Sequence, residues 1–213
     1  VIMGSGLGFR ISSVLTTVAG HSMLLLLVLT MVVSLIMGMG VPTTAAYLVL
    51  AALVAPTLTK LGISPLAAHM FIFYFGCISS ITPPVAMAAY AGAAIANCDP
   101  NKAGYRAFRL AICAFIMPYM FVYNPVLLMQ GGAVDIIQCL ITALVGAYLL
   151  GSGFEGFFWN WKVKLFERPL LVAAALLLIV PGLWTDLIGL AVVVLEFVSS
   201  KVFHRSEKPA AAV

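Results

Sequence analysis

Along this chain, long apolar blocks alternate with short polar breaks. The first block, residues 21–37 (HSMLLLLVLTMVVSLIM), stops at Gly38, and the second, residues 43–59 (TTAAYLVLAALVAPTLT), stops at Lys60. Drawn as one straight helix, 21–60 would be ~60 Å long at 1.5 Å per residue, about twice the thickness of a bilayer's hydrocarbon core. The two blocks are therefore two passes, or a hairpin that enters and leaves from the same side. Gly38, Gly40 and Pro42 favour an unwound turn between them.

The break LGISP follows, with Ser64 suited to cap a helix and Pro65 to its first position. A helix from 65 is predicted to pause at Ser79-Ser80-Ile81-Thr82-Pro83-Pro84 and resume through 97. As one continuous helix, 65–97 would overshoot the hydrocarbon core by roughly 20 Å, so it reads as a single crossing broken near its middle. The Asp-Pro-Asn composition of NCDPNKAGYR predicts a turn. Beyond it come a helix over 106–128, in which Pro118 could introduce a kink, and a further span over 134–150. Residues 151–168 mix Phe154, Phe157, Phe158, Trp159 and Trp161 with Lys162, Lys164 and Arg168, the pattern of a segment lying in the membrane interface. Residues 169–203 divide at Pro181-Gly182 into two apolar arms, and the tail is expected to be disordered.

Composition changes the picture by excluding a soluble fold: 63% of residues are hydrophobic and 8% charged, against roughly a quarter charged in soluble domains. No Asp, Glu, Lys or Arg lies between Arg10 and Lys60, Lys60 and Asp99, Arg109 and Asp135, or Asp135 and Glu155. The fold class is thus all-α and polytopic in the membrane, with a re-entrant helical hairpin and a discontinuous transmembrane helix. The net charge of +4 does not indicate nucleic acid, because the basic residues sit at the ends of apolar runs. Three clusters, Lys102/Arg106/Arg109, Lys162/Lys164/Arg168 and Lys201/Arg205/Lys208, hold most of them. If 21–60 is a hairpin and 65–97 crosses once, the positive-inside rule makes the first two loops cytoplasmic and opens the hairpin outward; the carboxyl-terminal tail joins them if 169–203 makes two passes or a re-entrant hairpin. Cys77, Cys98, Cys113 and Cys139 form no C-x-x-C pair and read as small packing residues. The chain begins Val-Ile without a charged leader, so it is expected to be the carboxyl-terminal part of a longer polypeptide.

Candidate chemistry gathers at the two breaks. Non-helical backbone at membrane depth is tolerated only where protein or a cavity satisfies its N–H and C=O groups. Thr43 and Thr44 accompany the first break, and Ser79, Ser80 and Thr82 the second. Unwound carbonyls with side-chain oxygens can hold a dehydrated Na⁺, and half-helix N-termini can meet an anionic substrate. No acid lies near either break, so a carboxylate proton relay is disfavoured. A packing kink is the plainer alternative, in which case the chain would be a non-transporting structural or assembly subunit.

The string from Gly38 to Ala96, with GMGVPTT and ITPPVA as its paired motifs, resembles the second half of the large membrane subunit of tripartite ATP-independent periplasmic (TRAP) transporters. The likeness is close over 20–130, and the end of the chain is similar to fused permeases that work with TAXI-type binding proteins. The resemblance implies a Na⁺-coupled secondary transporter in a bacterial inner membrane, moving organic acids by an elevator motion of a transport domain built from two inverted repeats. Implied partners are a periplasmic solute-binding protein, a small membrane subunit or its fused equivalent, and the amino-terminal half of the same permease. Residues 1–130 would be the second repeat, with hairpin 21–60, broken helix 65–97 and helix 106–128. Residues 131–150 would add a helix, and 151–213 an interfacial linker, hairpin and tail. By the same resemblance Gly38, Gly40, Thr43 and Thr82 would hold the coupling ion, and Thr44, Ser79, Ser80 and Pro83 the substrate. Na⁺ is the only cofactor implied, and no enzymatic activity.

Other residues carry less. His21 and His69 lie in apolar runs without acidic partners and read as packing or interface positions, while His204 sits in the basic tail. Asp186 reads as a helix cap and Glu196 as facing the interface. Tyr119 and Tyr123 read as interface anchors, and Asn124-Pro125 as a helix end at the membrane surface. No G-x-x-x-x-G-K-[ST] motif is present, which excludes a P-loop, and no filter motif supports a channel.

Overall fold

A computed structural model describes residues 7–20, 22–158, 161–179, 182, 185 and 189–195. His21, Trp159, Asp186, Glu196, His204 and the tail lie outside the described residues. The chain divides into two compact units, Val1–Leu128 and Met129–Val213. Among the described residues, three helical stretches are long and apolar enough to cross a bilayer: Thr43–Lys60, Pro100–Tyr123 and Ala133–Glu155. With the shorter apolar helices Met23–Gly38 and Pro65–Ile81, they give an all-α, polytopic membrane protein.

In the first unit, α1 (Leu7–Ala19) leads to α2 (Met23–Gly38), which Ser22 opens by accepting the Leu25 N–H at 3.4 Å. Met39 ends α2 in an extended conformation, Gly40 takes φ +74°, and Pro42 starts α3 (Thr43–Leu53). The left-handed φ is why a glycine stands at 40. The tip is therefore a tight turn, and α3 folds back to pack against α2. After Val54, α4 (Ala55–Lys60) follows with Pro56 in its first turn.

Ser64 then caps α5 (Pro65–Ile78), its Oγ accepting the Ala67 N–H at 3.3 Å, with Pro65 at the first position. Helix α5 is the centre of this unit: Phe71, Ile72 and Phe75 are fully buried, and α2, α3, α4 and α8 (Met117–Tyr123) all pack on it. It ends in a single 3-10 turn, Ser79–Ile81, and the chain resumes as α6 (Met87–Ile95).

The segment read as a turn before residue 106 is instead the start of a helix. Asp99 accepts the Lys102 N–H at 2.9 Å and Pro100 takes the first position, so α7 runs Pro100–Leu110. Aspartate followed by proline is as good a helix start as a turn, and here the cap prevails. A 3-10 stretch, Ala111–Phe115, then separates α7 from α8, with Pro118 in the first turn of α8. Tyr119 is half-buried, its ring packed edge-on against Phe71 and its hydroxyl 3.2 Å from Met31 Sδ. Asn124 ends α8, and its Oδ1 accepts the Val126 N–H at 3.2 Å.

In the second unit, α9 (Ala133–Glu155) extends through the Gly-Ser-Gly that seemed to end it in the sequence. Gly156, at φ +75°, closes it, and a two-stranded ladder, β1 (Phe157–Phe158) and β2 (Trp161–Lys162), turns the chain into α10 (Glu167–Ile179). The buried face of α9 includes Cys139, Ala143, Gly146, Leu150 and Gly153, spaced alternately by four and three residues. That spacing keeps one seam facing a partner helix, and α10 fills it. A Cβ at Gly146 would come within 2.6 Å of Ile179 Cγ1, and one at Gly153 within 2.8 Å of Val172 Cγ2. Small residues here let two helices approach where lipid supplies no hydrophobic drive. Gly146→Val should therefore cost ~1–3 kcal/mol by overpacking. The check is thermal unfolding of the intact permease in detergent, with the open-sided Gly151→Ala, where an added Cβ meets nothing within 4 Å, as the neutral control.

Candidate functional site

The two interruptions meet. Gly38, the last residue of α2, lies directly against Ser79 in the 3-10 turn after α5, and both are buried. A Cβ added at Gly38 would overlap Ser79 Oγ, stand 2.9 Å from Ser79 Cβ and 3.2 Å from the Gly76 carbonyl oxygen. Only glycine allows this approach.

The break after α5 keeps its hydroxyls by turning them back on the helix. Ser79 Oγ donates to the Gly76 carbonyl at 2.6 Å, Ser80 Oγ to Cys77 at 2.8 Å, and Thr82 Oγ1 to Ile78 at 2.8 Å. Each hydroxyl spends its proton and keeps lone pairs to offer. Pro83 and Pro84, joined by a cis peptide bond, have no N–H, so neither can serve the carbonyl four residues before it. Thr82 N–H takes the Ser79 carbonyl at 3.2 Å instead, while no N–H stands at position 84 for the Ser80 carbonyl. Tyr90 on α6 donates its hydroxyl to the Pro84 carbonyl at 2.8 Å. Ala86 then starts α6 in the left-handed region at φ +30°, fully buried.

Of the predicted ion residues, Gly38 and Thr82 are buried at or beside this junction, Thr43 is half-buried in the first turn of α3, and Gly40 is exposed in the tip turn. A Cβ at Gly40 would meet nothing within 4 Å; its φ accounts for it. Of the predicted substrate residues, Ser79 is at the junction, Ser80 and Pro83 are half-buried in the break, and Thr44 is exposed on α3. Among the described residues, neither Thr43 nor Thr44 makes a side-chain hydrogen bond to residues 79–84. His69, away from the junction, pairs its Nδ1 with Tyr47 O–H at 3.0 Å, which is a packing role.

Three residues of this region were not singled out from the sequence. Tyr90 was hidden because its partner is a carbonyl six residues back across a break. Thr30 and Ser34, both buried on α2, could have been found: they precede Gly38 by eight and four residues, one polar stripe on an otherwise apolar helix.

A family model, the DctM component of the tripartite ATP-independent periplasmic transporter, matches residues 1–136. The chain belongs to the DctM family. No curated protein and no solved structure matches it. The match covers the whole first unit, including both interruptions, and the start of α9. The DctM chain is thus a membrane permease component of a TRAP transporter, a family of transporters and not of enzymes.

Because the Gly38–Ser79 approach has no slack, Gly38→Ala in the intact DctM protein should destabilise by ~1–3 kcal/mol, or push the tip off the break. Gly40→Ala, which meets only its φ cost, should lose ~1 kcal/mol. Comparing the two by detergent thermal unfolding checks the order; equal losses would show that the close contact is not made.

Proposed function

We propose that this permease component couples a sodium gradient to the uptake of organic acids across a bacterial inner membrane, accepting them from a periplasmic binding protein. The observation that carries the reading is the Gly38–Ser79 contact, because it makes one junction of two helix interruptions that are separate in sequence. Beside that junction are the Ser79, Ser80 and Thr82 hydroxyls, with their protons already committed, and the Ser80 carbonyl, freed by Pro84. Among the described residues no three His, Cys, Asp or Glu side chains gather as a metal group, so hydroxyl and carbonyl oxygens are the ligands that a hard monovalent cation would use. Gly38, Gly40, Thr43 and Thr82 are its assigned surroundings, with the hairpin re-entrant and opening outward.

The two helix starts at the interruptions support an anionic substrate, although α4, α8 and α9 also begin without a side-chain cap. Helices α2, α5 and α7 begin on Ser22, Ser64 and Asp99, each accepting a first-turn N–H. Helices α3 and α6, which begin at the interruptions, start on Pro42 and Ala86 with no side-chain cap. Their first N–H groups remain available to a carboxylate, with the helix dipole in its favour. Thr44, Ser79, Ser80 and Pro83 border these starts. A first repeat, a small membrane subunit or its fused equivalent, and the binding protein complete the transporter in this reading.

The test uses the intact permease with its binding protein in proteoliposomes. Thr82→Val and Thr43→Val, which keep shape and remove an oxygen, should shift the Na⁺ half-saturation of uptake upward by roughly tenfold, the equivalent of ~1.4 kcal/mol. Unchanged Na⁺ dependence in both variants would remove the ion assignment.

A further inference from the structure

Among the described residues, two buried hydroxyls of the first unit have no partner. Thr30 and Ser34 lie one turn apart on α2, each 0% exposed, and neither Thr30 Oγ1 nor Ser34 Oγ makes a hydrogen bond among the described residues. An unsatisfied buried hydroxyl costs ~1–3 kcal/mol. A helical Ser or Thr can avoid that cost by donating to a carbonyl one turn back, as Ser79, Ser80, Thr82 and Ser152 do here. Thr30 and Ser34 leave their bonding capacity open.

Their placement gives that capacity a direction. Thr30, Ser34 and Gly38 form one buried stripe on α2, at the i, i+4 spacing that stacks side chains on one helix face. The Gly38 end abuts Ser79 and the Gly76 carbonyl, and α2 packs along α5. Stepping back along α2 from the junction reaches Ser34 after one turn and Thr30 after two, while on α5 Gly76 lies beside the junction through its carbonyl. Gly76 is buried, yet a Cβ built there meets nothing within 4 Å. Protein interiors are close-packed and rarely leave such room.

The guest's chemistry follows from the donors. The carbonyls of α2 are committed to its helix, and no carboxylate lies on α2 or α5, so two hydroxyls cannot make a full shell for a bare cation. They can serve a molecule that both donates and accepts, as buried waters do with two to four polar partners. We propose that Thr30 and Ser34 hold ordered water within the α2–α5 seam, a hydration site one to two turns from the Gly38–Ser79 junction. Its role, to solvate an ion as it leaves or enters that junction, rests on the sodium reading above; its existence does not.

Water trapped in a dry seam is detected by X-ray radiolytic footprinting of the intact permease, because hydroxyl radicals formed from it oxidise the side chains beside it. The wild type should show oxidation of the buried Leu26 and Leu27, one turn before Thr30 on the same face of α2, and Thr30→Val/Ser34→Ala should lower it several-fold. Thr59→Val, whose hydroxyl is already bonded to Ala55 and Pro56 carbonyls, should leave it unchanged. If the double variant does not fold, Ser34→Ala alone carries the comparison. Oxidation in the wild type no higher than in the variant would overturn the proposal. Sodium-dependent uptake measured on the same proteins separates the two readings: Na⁺-independent uptake throughout would sink the ion site and leave the footprint to decide the water site.

Discussion

A peptide group freed from a helix needs a partner that lipid cannot supply, and in the first unit two helix interruptions meet in one place. The hairpin tip and the break after α5 each interrupt a helix; by meeting at Gly38 and Ser79 each lends the other a protein environment. The hydroxyls of Ser79, Ser80 and Thr82 close on the turn behind them, and Tyr90 reaches across to Pro84. What remains uncommitted is oxygen, in lone pairs and in a carbonyl that a proline leaves unserved.

Close approach does the same work in both units by different means. In the first, one glycine allows a helix end to touch a turn. In the second, Gly146 and Gly153 lie along a seam of alternating four- and three-residue spacing and let α10 lie against α9 over most of its length. Between helices in lipid, where there is little hydrophobic drive, contact distance is the main source of attraction. A single methyl group at these positions therefore matters more than its size suggests.

Much of this was legible in the sequence because length and apolarity are local properties. The charge-free blocks, Ser64-Pro65 as a helix start, and the Gly38–Pro42 and Ser79–Pro84 interruptions all follow from residues read a few at a time. Asp99-Pro100 was misread because the same pair opens helices and turns, and only the helix that follows decides between them. The neighbours of Tyr119, Phe71 and Met31, are far away in sequence and could not be read from the residues around it. The meeting of Gly38 with Ser79 could not be read locally at all, since nothing in either segment encodes the distance to the other. Thr30 and Ser34 were readable by spacing, but a hydroxyl in an apolar helix usually satisfies itself and attracts no notice.

Tyr90 joins three things at once. Its hydroxyl holds the Pro84 carbonyl, its backbone belongs to α6, and its ring edge lies where a Cβ at Gly104 would be 3.0 Å away. Helix α7, which carries Lys102, Arg106 and Arg109, is thereby geared to the break. A Cβ at Gly104 would also lie 3.5 Å from Ala86 Cβ, and α7 packs on both α6 and the turn after α5, so a side chain larger than hydrogen at 104 would press on the break from a helix that carries none of its hydroxyls.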